Sequence, residues 1–257
     1  MSAPLGPGDK VLLVDRKDRR YLVTLSDAGE FHTHTGVVPH ADIVGAGEGG
    51  LVRSNSGAAY VVLRPTLSDF IFRMPRGAQV IYPKDLGAIL LMADIYPGAH
   101  VLEAGVGSGA LSAALLRAGA SVTGYEVRDD FAARARTNVA SFLGDEVLER
   151  YRVEGRDVYE GIDATDLDRV VLDLPEPWRV VKHAEEALSP GGILLSYVPS
   201  VTQVAQLRDT LDASRFALAE TIEVLVRSWH VAGQAVRPDH RMVAHTGFLT
   251  AARLLRS

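Results

Sequence analysis

The chain has 257 residues and no cysteine. That absence excludes disulfide bridges, thiolate nucleophiles and the cysteine-based structural zinc sites, and it fits a reducing compartment. Long hydrophobic runs are missing as well. No stretch reaches the roughly 20 apolar residues of a membrane span, and the opening MSAPLGPGDK lacks the basic-then-apolar form of a secretion signal. The expectation is a cytoplasmic protein with no membrane partner. A positive charge excess is also lacking: 27 lysines and arginines stand against 32 acids, giving a net charge of −5 and a pI near 5.9. The molecule as a whole is therefore not the basic body of a nonspecific nucleic-acid binder, and no DNA partner is expected. A polyanion would have to meet a local patch. Arg16, Lys17, Arg19 and Arg20 in DRKDRRY form one candidate; Arg237, His240 and Arg241 in RPDHRM form another. Each reads equally as a solvated turn. Without cysteine, a metal site would rest on the eight histidines. His32 and His34, on one side of a strand in FHTHTG, have no clear third ligand nearby, so no metal is expected.

What is present is a 47% hydrophobic content, enough to fill a substantial core. Up to about residue 64 the pattern is β-rich. VLLV (11–14) and YLVTL (21–25) flank the charged turn as a hairpin, AAYVVL (58–63) follows the turn signal SNSG, and frequent glycines leave no room for a long helix. The segment 65–85 reads as a connector punctuated by Pro65, Pro75 and Pro83. From residue 86 to 257 strands and helices alternate: strands at 99–105, 121–127, 151–157, 168–174 and 191–199, and helices at 110–119, 129–143, 178–187 and 201–213. Repeated units of this kind form a parallel sheet with helices on both faces. The tail, 216–231 and 242–255, reads as two long strands with no helix between them, an antiparallel pair closing the sheet. The fold expected is thus α/β, a mostly parallel sheet with an antiparallel C-terminal pair, preceded by a small N-terminal β-domain at 1–64.

The most informative stretch is VLEAGVGSGAL (101–111), a strand running into three alternate glycines and a helix. A strand, glycine turn and helix N-terminus bring backbone N–H groups close to a nucleotide-type cofactor. Dinucleotide folds usually carry G-x-G-x-x-G, whereas this turn is G-x-G-x-G, a weak discriminator by itself. Glu126 ends the next strand, where an acid can accept from two ribose hydroxyls, a device NAD enzymes share. Asp157 follows the third strand, where a carboxylate can take the exocyclic amine of an adenine, and Asp173 ends the fourth in VLDLPEPW. With Glu103 these acids line one edge of the sheet. Such an edge repels a diphosphate and attracts S-adenosylmethionine, whose sulfonium and ammonium charges come without phosphate. The competing reading makes the acids helix N-caps, Asp157 and Asp173 above all.

On EFHTHTG (30–36), RPTLSDF (64–70), IYPKD (81–85), LEAGVGSGAL (102–111), YEVR (125–128), LDLPEPW (172–178), SYVPSVTQV (196–204) and the closing RP…HTGFL (237–249), the sequence resembles the class I S-adenosylmethionine-dependent methyltransferases. Within them it is similar to the tRNA (adenine-58-N1)-methyltransferases of the TrmI type. The resemblance implies a Rossmann-like catalytic domain with a seven-stranded sheet, assembled as a homotetramer that methylates a T-loop adenosine of tRNA. It implies Gly105, Gly107, Ser108 and Gly109 as the donor cradle, Glu126 as the ribose partner and Asp157 as the adenine partner. Glu103, Leu111, Arg128 and Asp173 are also counted in the donor site. Asp173 is expected at the target base, with Tyr82 and Tyr197 as pocket residues.

The chemistry agrees with that expectation. Adenine N1 already offers a lone pair, so no strong general base is needed, but the product is a cation. A carboxylate accepting from the N6 amine would orient N1 and stabilise the growing charge. A stacked loop adenosine must also be extruded, which suits aromatic pocket walls. Trp178 and Trp229 are expected to be packing residues, and His245 to lie in a terminal strand near subunit contacts. The alternatives are a class I methyltransferase for another RNA, a protein or a small molecule, a non-catalytic RNA-binding protein with the same fold, and, more distantly, an NAD-dependent hydride transferase.

Overall fold

The computed structural model describes residues 4–77 and 79–256. The chain divides into two compact units, residues 1–74 and 75–257, so the stretch 65–85 is shared between them.

In the first unit, strands β1 (Lys10–Asp15), β2 (Arg20–Thr24), β5 (Leu51–Arg53) and β6 (Ala59–Leu63) form an antiparallel sheet in the order β2-β1-β6-β5; β3 (Glu30–Thr33) and β4 (Gly36–Pro39) form a separate hairpin. A short helix α1 (His40–Ala46) follows β4. Val11, Leu13, Val38, Ile43, Tyr60 and Val62 fill the core between them. Helix α2 (Leu67–Arg73) starts inside the RPTLSDF motif for a local reason: Thr66 Oγ1 accepts from the Asp69 amide at 3.1 Å while the Asp69 carboxylate accepts from the Thr66 amide at 3.3 Å, a reciprocal cap. The charged turn after β1 is largely self-neutralised. Arg19 pairs with Asp15 at 2.6 Å, and Arg20 reaches both Asp18 and Asp69, at 3.4 and 3.2 Å. His32 pairs with Glu30, whereas His34 has left the strand for the turn beside Arg19, so the two do not share a strand face.

The second unit contains α3 (Pro83–Met92), β7 (His100–Ala104), α4 (Ala110–Arg117), β8 (Ser121–Tyr125), α5 (Asp129–Leu143), β9 (Tyr151–Glu154), β10 (Leu167–Asp173), α6 (Val181–Ala187), β11 (Leu188–Val198), α7 (Val201–Asp212), β12 (Phe216–Glu223), β13 (Trp229–Ala232), β14 (Ala235–Pro238) and β15 (Phe248–Leu254). Seven of these strands make one sheet, in the order β12-β15-β11-β10-β7-β8-β9. Strands β7 to β11 run parallel, and β15 is antiparallel to both its neighbours, β11 and β12. Apolar side chains such as Leu102, Val170, Leu172 and Leu194 line the inside of the sheet, and Val181, Ala184, Leu207 and Leu211 of the covering helices pack on them. The strand order reverses between β7 and β10, which opens a crevice beyond their C-terminal ends.

Two expectations need correction. The third strand stops at Glu154, so Asp157 lies in a loop. The tail is not a pair of long strands: β12 and β15 are shorter, and residues 229–238 fold back on themselves as the separate hairpin β13–β14. Gly233, at φ +55°, and Gln234 make the two-residue turn that allows this. The alternation along 216–231 is genuine strand periodicity, but its second half pairs locally instead of joining the main sheet. Among the described residues no helix is long and apolar enough to cross a membrane.

Candidate active site

The glycine turn leaves β7 in conformations that side chains resist. Gly105, Gly107 and Gly109 have φ of +85°, +56° and +84°. A Cβ on Gly105 would collide with the carbonyl oxygen of Asp173, and one on Gly109 would come within 3.1 Å of the Ala135 backbone. The turn is therefore pinned between β10 and α5, and its backbone faces the crevice. Gly105→Ala should lower the melting temperature, because strain and collision coincide. A variant that melts with the parent in a thermal scan would refute this.

Glu126 closes the turn from the β8 side. Its Oε2 accepts from the Gly107 amide and its Oε1 from the Arg128 amide, both at 3.0 Å. Arg128 contributes through that amide; its guanidinium stacks 3.8 Å from the Phe131 ring and pairs with Asp130. Ser108 accepts from the Gly77 amide at 3.4 Å, and Leu111 is buried in the first turn of α4. Gly105, Gly107, Ser108, Leu111 and Asp173 share the wall of a narrow cleft faced by Val80 and Ile81. Asn138 was not foreseen. From α5 it donates to the carbonyls of Ser108 and Pro75, at 3.0 and 2.8 Å, and ties the turn to the segment beside it. A signal existed, since Phe131, Ala135, Asn138 and Val139 form the buried stripe of α5, where an asparagine stands out.

The acids do not all stand on the rim. Glu103 is fully buried beneath the turn; its Oε2 accepts from Ser112 Oγ at 2.6 Å, Ser112 in turn accepts from Tyr151 at 2.9 Å, and its Oε1 has no partner among the described residues. Burial raises its pKa to about 8, with the negative charges of Asp173 and Glu126 adding to the effect. Asp157 is exposed, accepts from the Tyr159 amide at 2.9 Å and is absent from the cleft wall. Asp173 ends β10 at the cleft, and burial lifts it to about 7.

Beside it stands Tyr197. The two are register partners on adjacent parallel strands, so their side chains leave the same face of the sheet. The Tyr197 hydroxyl donates to the Thr246 carbonyl at 2.7 Å, and burial pushes its pKa up to about 12. Tyr82 caps the start of α3. Two residues close behind it were also missed: Lys84 and Asp85 form a buried pair at 2.7 Å, and both bind Thr246 Oγ1 at 2.6 Å. His245 lies in the loop before β15, not in a strand, between Glu223 at 2.7 Å and the Pro199 carbonyl at 2.9 Å. Trp178 packs against the core as expected. Trp229 does not: it is 59% exposed on β13, because the hairpin leaves it no core to enter.

Residues 57–237 match the family described as tRNA methyltransferase complex GCD14 subunit, and residues 4–52 match the TrmI-like N-terminal family. The tRNA (adenine(58)-N(1))-methyltransferase TrmI of Thermus thermophilus is 41% identical over 246 residues, which cover 95% of this chain and 96% of that protein. The chain belongs to the TrmI family of tRNA methyltransferases. Another TrmI, from Methanocaldococcus jannaschii and named for adenines 57 and 58, is 35% identical over 95% of this chain and 94% of its own. Among solved structures, TrmI from Aquifex aeolicus aligns over 99% of this chain and all of its own, with a TM-score of 0.85 and 27% identity. A Thermotoga maritima protein described as a SAM-dependent O-methyltransferase aligns with a TM-score of 0.93 at 35% identity, over 99% and 96% of the two chains. The TrmI family thus accounts for both units of the chain and for the seven-stranded sheet.

Proposed function

We propose that the protein transfers a methyl group from S-adenosylmethionine to N1 of adenosine 58 in the T-loop of tRNA. The observation that carries this reading is Asp173, the one charged side chain among the described residues that line the glycine cleft, standing in register with Tyr197 on the neighbouring strand. The acid on the cleft wall suits a cationic, phosphate-free donor. Gly105, bare of a side chain, lets the turn lie against the Asp173 backbone, the carboxylate of Glu126 is fixed by two backbone amides, and the unpartnered oxygen of Glu103 lies underneath. Glu126 would take the ribose hydroxyls, Gly105 to Gly109 would carry the methionine side, and Asp157, exposed on its loop, would take the adenine amine. When bound, the donor supplies an electrophilic methyl group on sulfur.

On the acceptor side the chain's own groups hold the base. The N1 lone pair attacks the methyl carbon as the carbon–sulfur bond breaks, and positive charge passes to the base. Asp173, accepting from the N6 amine, would orient N1 in line and stabilise that charge. Tyr82 would offer the extruded base a replacement surface, and Tyr197 is the second aromatic residue of the pocket. The test is nucleoside analysis of unmodified tRNA after incubation with labelled donor. Label in 1-methyladenosine at one T-loop position is expected; label in any other nucleoside, or none, overturns the assignment.

Similarity to the Thermotoga O-methyltransferase favours a second reading, methyl transfer to oxygen. A hydroxyl acceptor must lose its proton, and a carboxyl lifted to about 7, as Asp173 is, suits a general base. The same product analysis separates the readings, since an ether and an N1-methyl cation differ in base lability.

We further infer a homotetramer working in the cytoplasm. The hairpin β13–β14 supports assembly: Trp229, Val231 and Val236 share one of its faces and are 59 to 69% exposed, and a two-stranded hairpin is marginal alone. Its other face carries His230 and Arg237. Trp229→Ser with Val231→Ser is expected to shift the protein to smaller species in sedimentation; an unchanged mass would assign assembly to another surface.

A further inference from the structure

The motifs IYPKD and HTGFL meet in one hydrogen-bonded cluster. Lys84 keeps 6% of its side-chain exposure and Asp85 none. Lys84 Nζ donates to Asp85 Oδ1 at 2.7 Å, to Thr246 Oγ1 at 2.6 Å and to the Val224 carbonyl at 2.6 Å, so all three of its hydrogens are used. Thr246 Oγ1 returns its own hydrogen to Asp85 Oδ2 at 2.6 Å. A buried ion pair this complete adds little net stability over apolar packing but fixes geometry. What it fixes is the turn at 245–247. The Thr246 carbonyl takes the Tyr197 hydroxyl hydrogen, and a Cβ on Gly247 would fall 2.5 Å from the Tyr197 ring, so the glycine backbone lies flat against the phenol.

We propose that Lys84, Asp85 and Thr246 are positioning residues of the acceptor site: they hold the Thr246 carbonyl against the Tyr197 hydroxyl, so that Tyr197 meets the base as a hydrogen-bond acceptor only and selects for the exocyclic amine of adenine. This rests on the reading of Asp173 and Tyr197 as the acceptor side. A phenol has one hydrogen to donate. With that hydrogen committed, and the phenol protonated throughout the working pH range, only an oxygen lone pair is left for the substrate. Ionised Asp173, its neighbour in register, is also acceptor-only. Two acceptors side by side complement the two N–H donors of an amine and repel a carbonyl at the same position. A site built to bind such a donor discriminates strongly against an analogue that lacks it.

The test compares a tRNA carrying adenosine at the target with one carrying purine riboside there, which keeps the N1 lone pair and lacks the amine. It uses Thr246→Val, Thr246→Ser, the double variant Lys84→Met/Asp85→Leu, and Tyr197→Phe. The double variant removes both buried charges together and leaves neither stranded. For Thr246→Val and the double variant, kcat on normal tRNA is expected to fall about tenfold. KM for tRNA and donor affinity should stay within about twofold, and the preference for adenosine over purine riboside should shrink about tenfold. Thr246→Ser, which keeps the hydroxyl, should recover most of both. If the preference is lost in Tyr197→Phe but intact in the other variants, the positioning role is overturned. If Tyr197→Phe also keeps it, the reading of Tyr197 as an acceptor-side residue fails, and the proposal with it.

Discussion

Replacing Asp173 with alanine is expected to slow methyl transfer about a thousandfold, while binding of donor and tRNA stays within a fewfold of the parent. The size follows from where the charge appears. On the proposed mechanism, donor and neutral adenine enter with the cation on sulfur, and in the transition state it spreads onto the ring that Asp173 would face. A carboxylate there would gain strength as the reaction proceeds, because the charge it faces grows. Asparagine keeps the shape and an accepting oxygen but not the charge, so Asp173→Asn should retain about a tenth of the lost rate factor at best. The pH profile gives an independent check. Burial holds the Asp173 carboxyl at about 7, well above the ordinary carboxylate range. The ionised form is the active one, so kcat/KM should fall as pH drops through about 7, and the asparagine variant should lose that acid limb. Parental activity in Asp173→Ala would remove the mechanism.

Much of this was legible in the sequence, and the exceptions have physical causes. The order of strands and helices from 99 to 213 followed from periodicity because each element buries one face on its neighbours. The tail failed because exposed apolar residues such as Val231 and Val236 carry the same alternation as core strands, and only Gly233 hints that the pairing is local. Around the cleft, the strand-and-turn pattern marked Gly105, Gly107 and Asp173, which the structure brings to one wall, and Glu126, which accepts from the Gly107 amide, since the rise of a strand and the tightness of the turn fix where such residues emerge. Depth was not legible. Glu103 and Glu126 are both acids at the ends of strands, yet one lies below the turn and the other on its rim. Nor was the link between Lys84 and Thr246 visible, because 162 positions separate them and nothing local in either motif records the other.

The buried position of Glu103 yields the other large effect, one with opposite signs for stability and binding. Its neighbours are Ser112 from α4, Tyr151 from β9, and the acids Asp173 and Glu126 from β10 and the end of β8. The carboxyl therefore keeps its proton up to about pH 8 when folded and gives it up near its ordinary value when unfolded. A folded pKa raised in this way favours the folded state below the unfolded pKa, and the advantage is lost as pH rises toward about 8. Glu103→Gln has nothing to ionise, so its melting temperature should match the parent at about pH 4 and exceed it by roughly 4 °C or more at about pH 9. Donor affinity should move the other way. A cationic ligand above the turn favours the ionised carboxyl, so binding to the parent should strengthen from about pH 6 to 8 and release protons, which appear in calorimetry as an enthalpy that depends on the buffer. The glutamine variant should bind about tenfold more weakly at about pH 8 and lose the Glu103 share of that release. Because Asp173 ionises in the same range, the share is read as the difference between parent and variant. A variant as unstable as the parent at high pH, or one binding donor with unchanged affinity and proton release, would show that Glu103 is only a packed structural acid.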